Sequence, residues 1–348
     1  MMGNQPELYV EDADVPISCN GSASTQLDNV SAVAVAGAYG APYKGDSDPR
    51  PQFRPLLCVF ETEFFHPKRP YTPLQIPTPL CTTVVFYSMS LYRFSGAVDG
   101  GFRRPLDAEL FENISASRLE GTLLHRGRRI PLYVTFGGRR SDSADYVRML
   151  RDSTWRKASV EGIVNDTGSE RPKYDGVNLD WNHPGDQCDV LEQPQLFHVL
   201  VESLVANRVK VMLTVPPLPR YVALYDLDPL LDGLEHVVLT THKLRPRRSS
   251  VDCSGGRLYA APAFREIRDS YSAAYRKKFA YSVSVAAYAG PKQLQERMHR
   301  AYEDDMGDAP VAVYDAFLDD FAGLCPGDSP RMSPQLAAIA ESTTRLLQ

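Results

Sequence analysis

The sequence predicts an α/β chain folded as a (β/α)8 TIM barrel, and two observations lead there. Eight short apolar runs, each five to nine residues long and rich in β-branched or aromatic residues, recur between residues 56 and 317. Buried parallel strands have this character. Between the runs lie stretches with apolar residues at helical spacing, and alternating β and α elements call for a parallel sheet with helical crossovers. Eight such repeats over the roughly 295 residues from position 54 onward suit a closed barrel better than an open sheet. No G-x-G-x-x-G or P-loop follows any run, which weakens the open, nucleotide-binding alternative.

The runs, in order, are residues 56–60 (LLCVF), 83–89 (TVVFYSM), 132–136 (LYVTF), 176–181 (GVNLDW), 209–215 (VKVMLTV), 236–240 (HVVLT), 279–287 (FAYSVSVAA) and 311–317 (VAVYDAF). Helices are expected over 194–207, where Leu196, Val199, Leu200 and Leu204 form one stripe, and over 263–278, 291–306 and 333–347. Ser333 followed by Pro334 makes a cap and first turn. Residues 1–53 are rich in Asp, Ser, Ala, Gly and Pro and show no period of 2 or 3.6. They read as a flexible N-terminal arm ahead of a barrel spanning 54–348.

Composition sets bounds on partners. An apolar fraction of 43% and an aromatic fraction of 10% suffice for a large core. A net charge of -5 gives no reason to expect a nucleic-acid partner or an anionic membrane surface. The basic clusters at Arg103-Arg104, 126–129 and 245–248 are short and read as solvated loops. The stretch 30–43 is too short and small-sided to span a bilayer, so no membrane insertion is expected. Six cysteines without a C-x-x-C give no structural zinc site. Their even number and four N-x-S/T sequons, at Asn20, Asn29, Asn113 and Asn165, lean toward the secretory pathway. The acidic start is not a signal peptide. An extracellular protein whose targeting segment is missing from this chain is the expectation.

Functional groups in such barrels stand at the C-terminal ends of strands. The fourth run lies in residues 174–182, YDGVNLDWN. Side chains alternate along a strand, so Asn178, Asp180 and Asn182 face the same way, into the barrel. Burying each without a partner would cost about 1–3 kcal/mol. They must therefore bond one another or face a ligand.

This segment resembles the DGxDxDxE signature of family 18 glycoside hydrolases, the chitinases and their relatives. Asp175, Gly176, Asp180 and Trp181 match. Asn178 stands at the first inward Asp, and Asn182 at the catalytic Glu. Thr135-Phe136-Gly137-Gly138 resembles the family's S-x-G-G, and Cys58 with Cys81 resembles its paired cysteines. Residues 313–325 resemble the last strand, with Asp319, Asp320, Phe321, Gly323 and Cys325 matching, Tyr314 replacing a tryptophan and Phe317 an aspartate. The sixth strand departs most. Thr240, His242 and Lys243 stand where the family has M-x-Y-D.

The resemblance implies a barrel without the α+β insertion of many chitinases, because only one helix fits between the seventh and eighth strands. It implies a substrate-assisted mechanism in which the sugar's acetamido oxygen attacks and a Glu protonates the leaving oxygen. That proton is worth roughly 10²–10⁴-fold, and the amide of Asn182 cannot supply it. The expectation is a catalytically inactive chitinase-like protein with the degenerate motif Asp175, Asn178, Asp180 and Asn182. It would bind chitin or N-acetylglucosamine-type glycans through Phe136, Asp180, Trp181, Asn182, His242 and Tyr314, or serve as an extracellular scaffold for a protein partner. Phe86 and Phe136 also read as core. The alternative is a residual or altered glycosidase, for which Glu192 is the nearby spare carboxylate. His242 has no His or Cys at ligand spacing, so neither a metal nor a cofactor is expected. The family pattern implies a Cys58–Cys81 disulfide and, more weakly, Cys253–Cys325, with Cys19 and Cys188 free or joined to each other.

Overall fold

All eight expected strands form, and they close on themselves. The computed structural model describes residues 8–10, 54–62, 76–78, 80–91, 101–121, 124–125, 128–139, 142–181, 193–246, 261–285, 291–316 and 334–345. The strands are β1 (Leu56–Glu61), β2 (Thr83–Met89), β3 (Leu132–Gly137), β4 (Gly176–Asp180), β5 (Lys210–Val215), β6 (Leu234–Leu239), β7 (Phe279–Ser284) and β8 (Val311–Tyr314). Each pairs in parallel with its neighbours in chain order, and β8 pairs with β1 to complete the barrel. The eighth strand stops three residues before the expected end. Asp315 adopts φ 57°, in the left-handed region, and turns the chain off the sheet.

Alternation sorts each strand into two layers. Leu57, Val59, Val85, Tyr133, Met212, Val238, Ala280, Ala312 and Tyr314 form the interior core. The opposite faces join the helices in a larger outer core. Those helices are α1 (Pro105–Leu119), α2 (Asp142–Arg151), α3 (Ser153–Gly168), α4 (Gln193–Ala206), α5 (Ala261–Asp269), α6 (Pro291–Ala301) and α7 (Pro334–Arg345). Asp152 caps α3 by accepting the backbone N–H groups of Thr154 and Trp155 at 2.9 and 3.1 Å.

Three helical expectations are corrected. The buried stripe of α4 is Phe197, Leu200, Val201 and Leu204, while Val199 is 44% exposed. The helix expected over 263–278 breaks after α5 and resumes as a single turn, Ala273–Arg276. At that end Ser270 donates its hydroxyl to the Ile267 carbonyl at 2.6 Å beside its own N–H at 3.2 Å. The helix expected over 291–306 runs as α6 and then loosens into one π turn, Tyr302–Met306, closed by Gly307 at φ 57°. Between β7 and β8 the described residues hold α6 and this turn.

Of residues 1–53, Leu8–Val10 pairs antiparallel with Leu244–Pro246, and the remainder of the arm lies outside the described residues. Cys58 and Cys81 form the expected disulfide, with Cα atoms 5.7 Å apart across 23 positions. Closing a loop of that length contributes about 3 kcal/mol in the chain-entropy picture. Cys19, Cys188, Cys253 and Cys325 lie outside the described residues. No helix among the described residues is long and apolar enough to cross a membrane.

Three arginines of the first two basic clusters are not merely solvated. Arg103 forms a two-pronged ion pair with buried Asp142, at 2.5 and 3.1 Å. Arg104 pairs with Asp107 at 2.7 Å, and Arg129 with Asp175 at 2.9 Å. The Arg103 and Arg129 partners lie 39 and 46 positions away, beyond what sequence spacing reveals, whereas Arg104 and Asp107 are an i,i+3 pair.

Candidate active site at the C-terminal mouth

The mouth is shaped first by two glycines. Gly137 and Gly138 both have positive φ, at 94° and 93°. A β-carbon on Gly137 would meet the Asp180 carbonyl oxygen at 2.3 Å, and one on Gly138 would meet the Tyr87 hydroxyl at 2.3 Å. Only glycine fits such a turn and approach. The turn is then pinned. Gly138 donates its N–H to the Asp180 carbonyl at 2.9 Å and accepts the Tyr87 hydroxyl at 2.6 Å. Arg103 donates to the Gly137 carbonyl at 3.1 Å.

Below this rim, Asn178 and Asp180 face inward as alternation requires. Asn178 donates from Nδ2 to Thr135 Oγ1 at 3.1 Å and accepts from Thr214 Oγ1 at 3.0 Å. Its amide thus knits β3, β4 and β5 together. Asp180 differs. It is 1% exposed, and its Oδ1 has no hydrogen-bond partner. Burial pushes its carboxyl up to about 7; Lys243 opposes the rise and Asp142 adds to it.

Strands β1, β6, β7 and β8 supply the rest of the ring. His242 stacks on Tyr314 with centroids 4.1 Å apart and an interplanar angle of 25°. Its Nδ1 lies 2.7 Å from Ser282 Oγ. Burial, and secondarily Lys243, hold its imidazole well below the usual histidine range, so the ring is neutral at neutral pH. Tyr87 meets Tyr314 edge-on, at 6.4 Å and 77°. Burial pushes both phenols well above their usual range, with Asp180 adding to each. Asp315 donates its N–H to Glu61 Oε2 at 2.8 Å and accepts the Ser284 hydroxyl. Burial raises its carboxyl against the pull of Ser284 and Lys243.

The expected site residues separate into three groups. Asp180, His242 and Tyr314 converge on the mouth, with Asn178 beneath them. Phe136 and Trp181 do not. Each follows an inward residue on its strand and therefore points outward into the helical layer. Trp181 packs on Tyr146, Phe197 and Tyr225 with centroids 5.7, 5.5 and 6.3 Å away, and both residues are 1% exposed within the outer core. Phe86 is outer core too. Asp175 lies at the opposite end of β4. There it accepts from Arg118 at 2.6 Å, Arg129 at 2.9 Å and the Leu132 N–H at 2.9 Å, which is a structural staple. Asn182, Glu192 and residues 317–333 lie outside the described residues.

Sequence reading missed Glu61, Tyr87, Arg103, Asp142, Ser282 and Asp315. Parity along the strands places Glu61 in line with Leu57 and Val59, and Tyr87 with Val85, so those two were readable. Nothing local marks Arg103 or Asp142, whose pairing spans 39 positions. Among the described residues, no group of three or more His, Cys, Asp or Glu could hold a metal ion.

Comparison with known proteins places this geometry. The family model for glycosyl hydrolases family 18 matches residues 58–296. Among curated proteins, no sequence matches the chain. Among solved structures, it is similar to catalytic domain 2 of the Ostrinia furnacalis Group II chitinase. The TM-score is 0.65 at 16% identity, covering 84% of this chain and 96% of that one. It is similar to TsES1 of Trichuris suis, described as an immunomodulatory active chitinase (TM-score 0.63, 12% identity, 83% and 99% covered). It is also similar to human YKL-39, described as a pseudo-chitinase with retained chitooligosaccharide binding (TM-score 0.62, 13% identity, 83% and 99% covered).

Proposed function

The chain belongs to glycosyl hydrolase family 18, and from that membership we propose that it is a non-hydrolytic, chitinase-like protein that binds chito-oligosaccharide-type glycans at its barrel mouth. The carrying observation is the inward column of the fourth strand. The Asn178 amide is bonded on both sides into the barrel wall, and in the sequence the amide Asn182 stands where the family signature has its catalytic Glu. An amide has no proton to give a leaving oxygen, and general acid catalysis is worth roughly 10²–10⁴-fold. Glycan binding is supported by the polar, aromatic-lined mouth and by the retained binding described for YKL-39. The disulfide and the exposed sequon residues Asn113 on α1 and Asn165 on α3 support a secretory route.

Trp181 sits behind the barrel wall, so calorimetry is a better reporter than tryptophan emission. Tetra-N-acetylchitotetraose should bind saturably while a fluorogenic chitobioside is not cleaved between pH 5 and 8. His242 covers one face of Tyr314, so His242→Ala should tighten binding several-fold by freeing a stacking surface. No binding by either protein would sink the glycan reading and leave the protein-scaffold role.

A second reading, an altered glycosidase, draws on one observation. Asp180 is a carboxyl raised to about 7 in the same mouth as the carboxylates of Glu61 and Asp315. Turnover that disappears in Asp180→Asn would establish it.

A further inference from the structure

The chain that leaves the mouth after β6 carries a partner strand. Beyond the turn Thr241–Lys243, residues Leu244–Pro246 run extended, and Leu8–Val10 of the N-terminal arm pair antiparallel with them. Pro246 has no N–H, so it cannot belong to a pair that exchanges two hydrogen bonds. Such pairs alternate with non-bonded ones along an antiparallel ladder. With Leu8 opposite Pro246, the exchanging pair is therefore Tyr9 with Arg245. This two-stranded sheet is separate from the barrel sheet. A two-stranded ribbon is marginally stable at best, and this one has three residues a side. It opens at little cost. Residues 11–53 give ample chain for the strand to leave and return without disturbing β1.

What the ribbon is joined to gives it consequence. His242 lies on the turn just before Leu244, and that turn is held from two sides. On the barrel side, Ser282 donates its N–H to Thr241 Oγ1 at 2.9 Å, and Thr241 donates to the Ser282 carbonyl at 2.6 Å. His242 donates its own N–H to Ser282 Oγ at 3.2 Å. On the other side, Leu244 is buried and Leu244–Pro246 pair with the arm. Held in this way, the imidazole covers one face of Tyr314, with ring centroids 4.1 Å apart. A sugar that stacks on this face must move His242. Of the anchors on the turn, the arm is the one that can let go without opening the barrel wall or its core.

Building on the glycan-binding reading above, we propose that Leu244–Pro246 is a strand-docking edge whose occupant, the chain's own Leu8–Val10, holds His242 over Tyr314 and so opposes sugar binding. Two events that compete for one segment are linked reciprocally. Releasing the arm tightens sugar binding, and bound sugar loosens the arm.

Tyr9→Pro tests this, because it removes the N–H that Tyr9 gives to Arg245 and leaves the barrel sequence untouched. Tyr9→Val keeps that N–H and serves as the control. The whole chain and both variants are compared by hydrogen exchange over residues 244–246, read by mass spectrometry, and by calorimetry with tetra-N-acetylchitotetraose. In Tyr9→Pro the segment should exchange roughly tenfold faster. The sugar should bind at least about fivefold tighter, while the melting curve shows an intact barrel. Tyr9→Val should match the parent chain. Saturating sugar should speed the same exchange in the parent chain. Unchanged exchange in Tyr9→Pro, unchanged or weaker sugar binding, or the same gain in Tyr9→Val overturns this inference and leaves the glycan-binding reading standing. Sugar binding by none of the three proteins overturns both.

Discussion

Replacing Asp175 with alanine would remove the acceptor from which three donors hang at the base of the barrel. The Arg118 side chain is 0% exposed, and Asp175 is its carboxylate partner, 2.6 Å away. Breaking a buried ion pair from one side costs about 3–5 kcal/mol, because the remaining charge keeps its desolvation penalty. The orphaned Leu132 N–H adds about 1 kcal/mol. Arg129 is 46% exposed, and solvent screening limits its share to about 0.5 kcal/mol. Arg118 keeps its bond to the Pro172 carbonyl, and the 15% exposure of the Asp175 side chain lets water reach the vacated space. The loss should therefore fall near 4 kcal/mol, with the melting temperature lower by roughly 8 °C. Urea unfolding followed by circular dichroism measures it, with Arg129→Ala as the mild control. A loss below about 1 kcal/mol would refute the staple.

Two further outcomes follow from the mouth. Asp180 has a folded-state pKa near 7 against an ordinary value near 4, so it favours the fold below pH 4 and loses that contribution as pH rises through 7. Asp180→Asn should accordingly stabilise the protein at pH 8 by an amount on the order of 4 kcal/mol, shrinking toward zero near pH 4; a gain that does not vary with pH would refute the assignment. Gly138→Ala must place a β-carbon against the Tyr87 hydroxyl at positive φ. A loss of about 2–4 kcal/mol is expected in the same unfolding assay, and a neutral result would show that the rim adapts.

The barrel was legible because parallel strands buried on both faces are written as contiguous apolar runs, and all eight were found within a few residues. The site was only half legible. Parity put Asn178 and Asp180 inside correctly, and the same rule, applied one residue further along each strand, sends Phe136 and Trp181 outward. Their assignment to the ligand came from treating aromatics near a motif as lining the cleft, against the pleat. The Arg103–Asp142 pair was invisible for a different reason. Its members come from the bend before α1 and the first turn of α2, which only barrel closure brings together, and no local pattern encodes that meeting. The turn at Asp315 was hidden because a positive φ at a non-glycine residue leaves little trace in sequence.

The matching motif residues also divide by what holds them in place. Asp175 carries the base of the barrel, and Gly137 and Gly138 carry the rim through geometry no other residue satisfies. These positions serve the fold whether or not a sugar is ever cut, so a signature recognised through them speaks to architecture. Asp180 is of another kind. Its Oδ1 makes no bond to the protein, and its charge at neutral pH works against the folded state, so packing supplies no reason for a carboxylate there. An asparagine would fill the same space at lower cost. A buried carboxylate with no structural return, set among inward polar groups at a barrel mouth, is the arrangement expected where a ligand completes the hydrogen bonding.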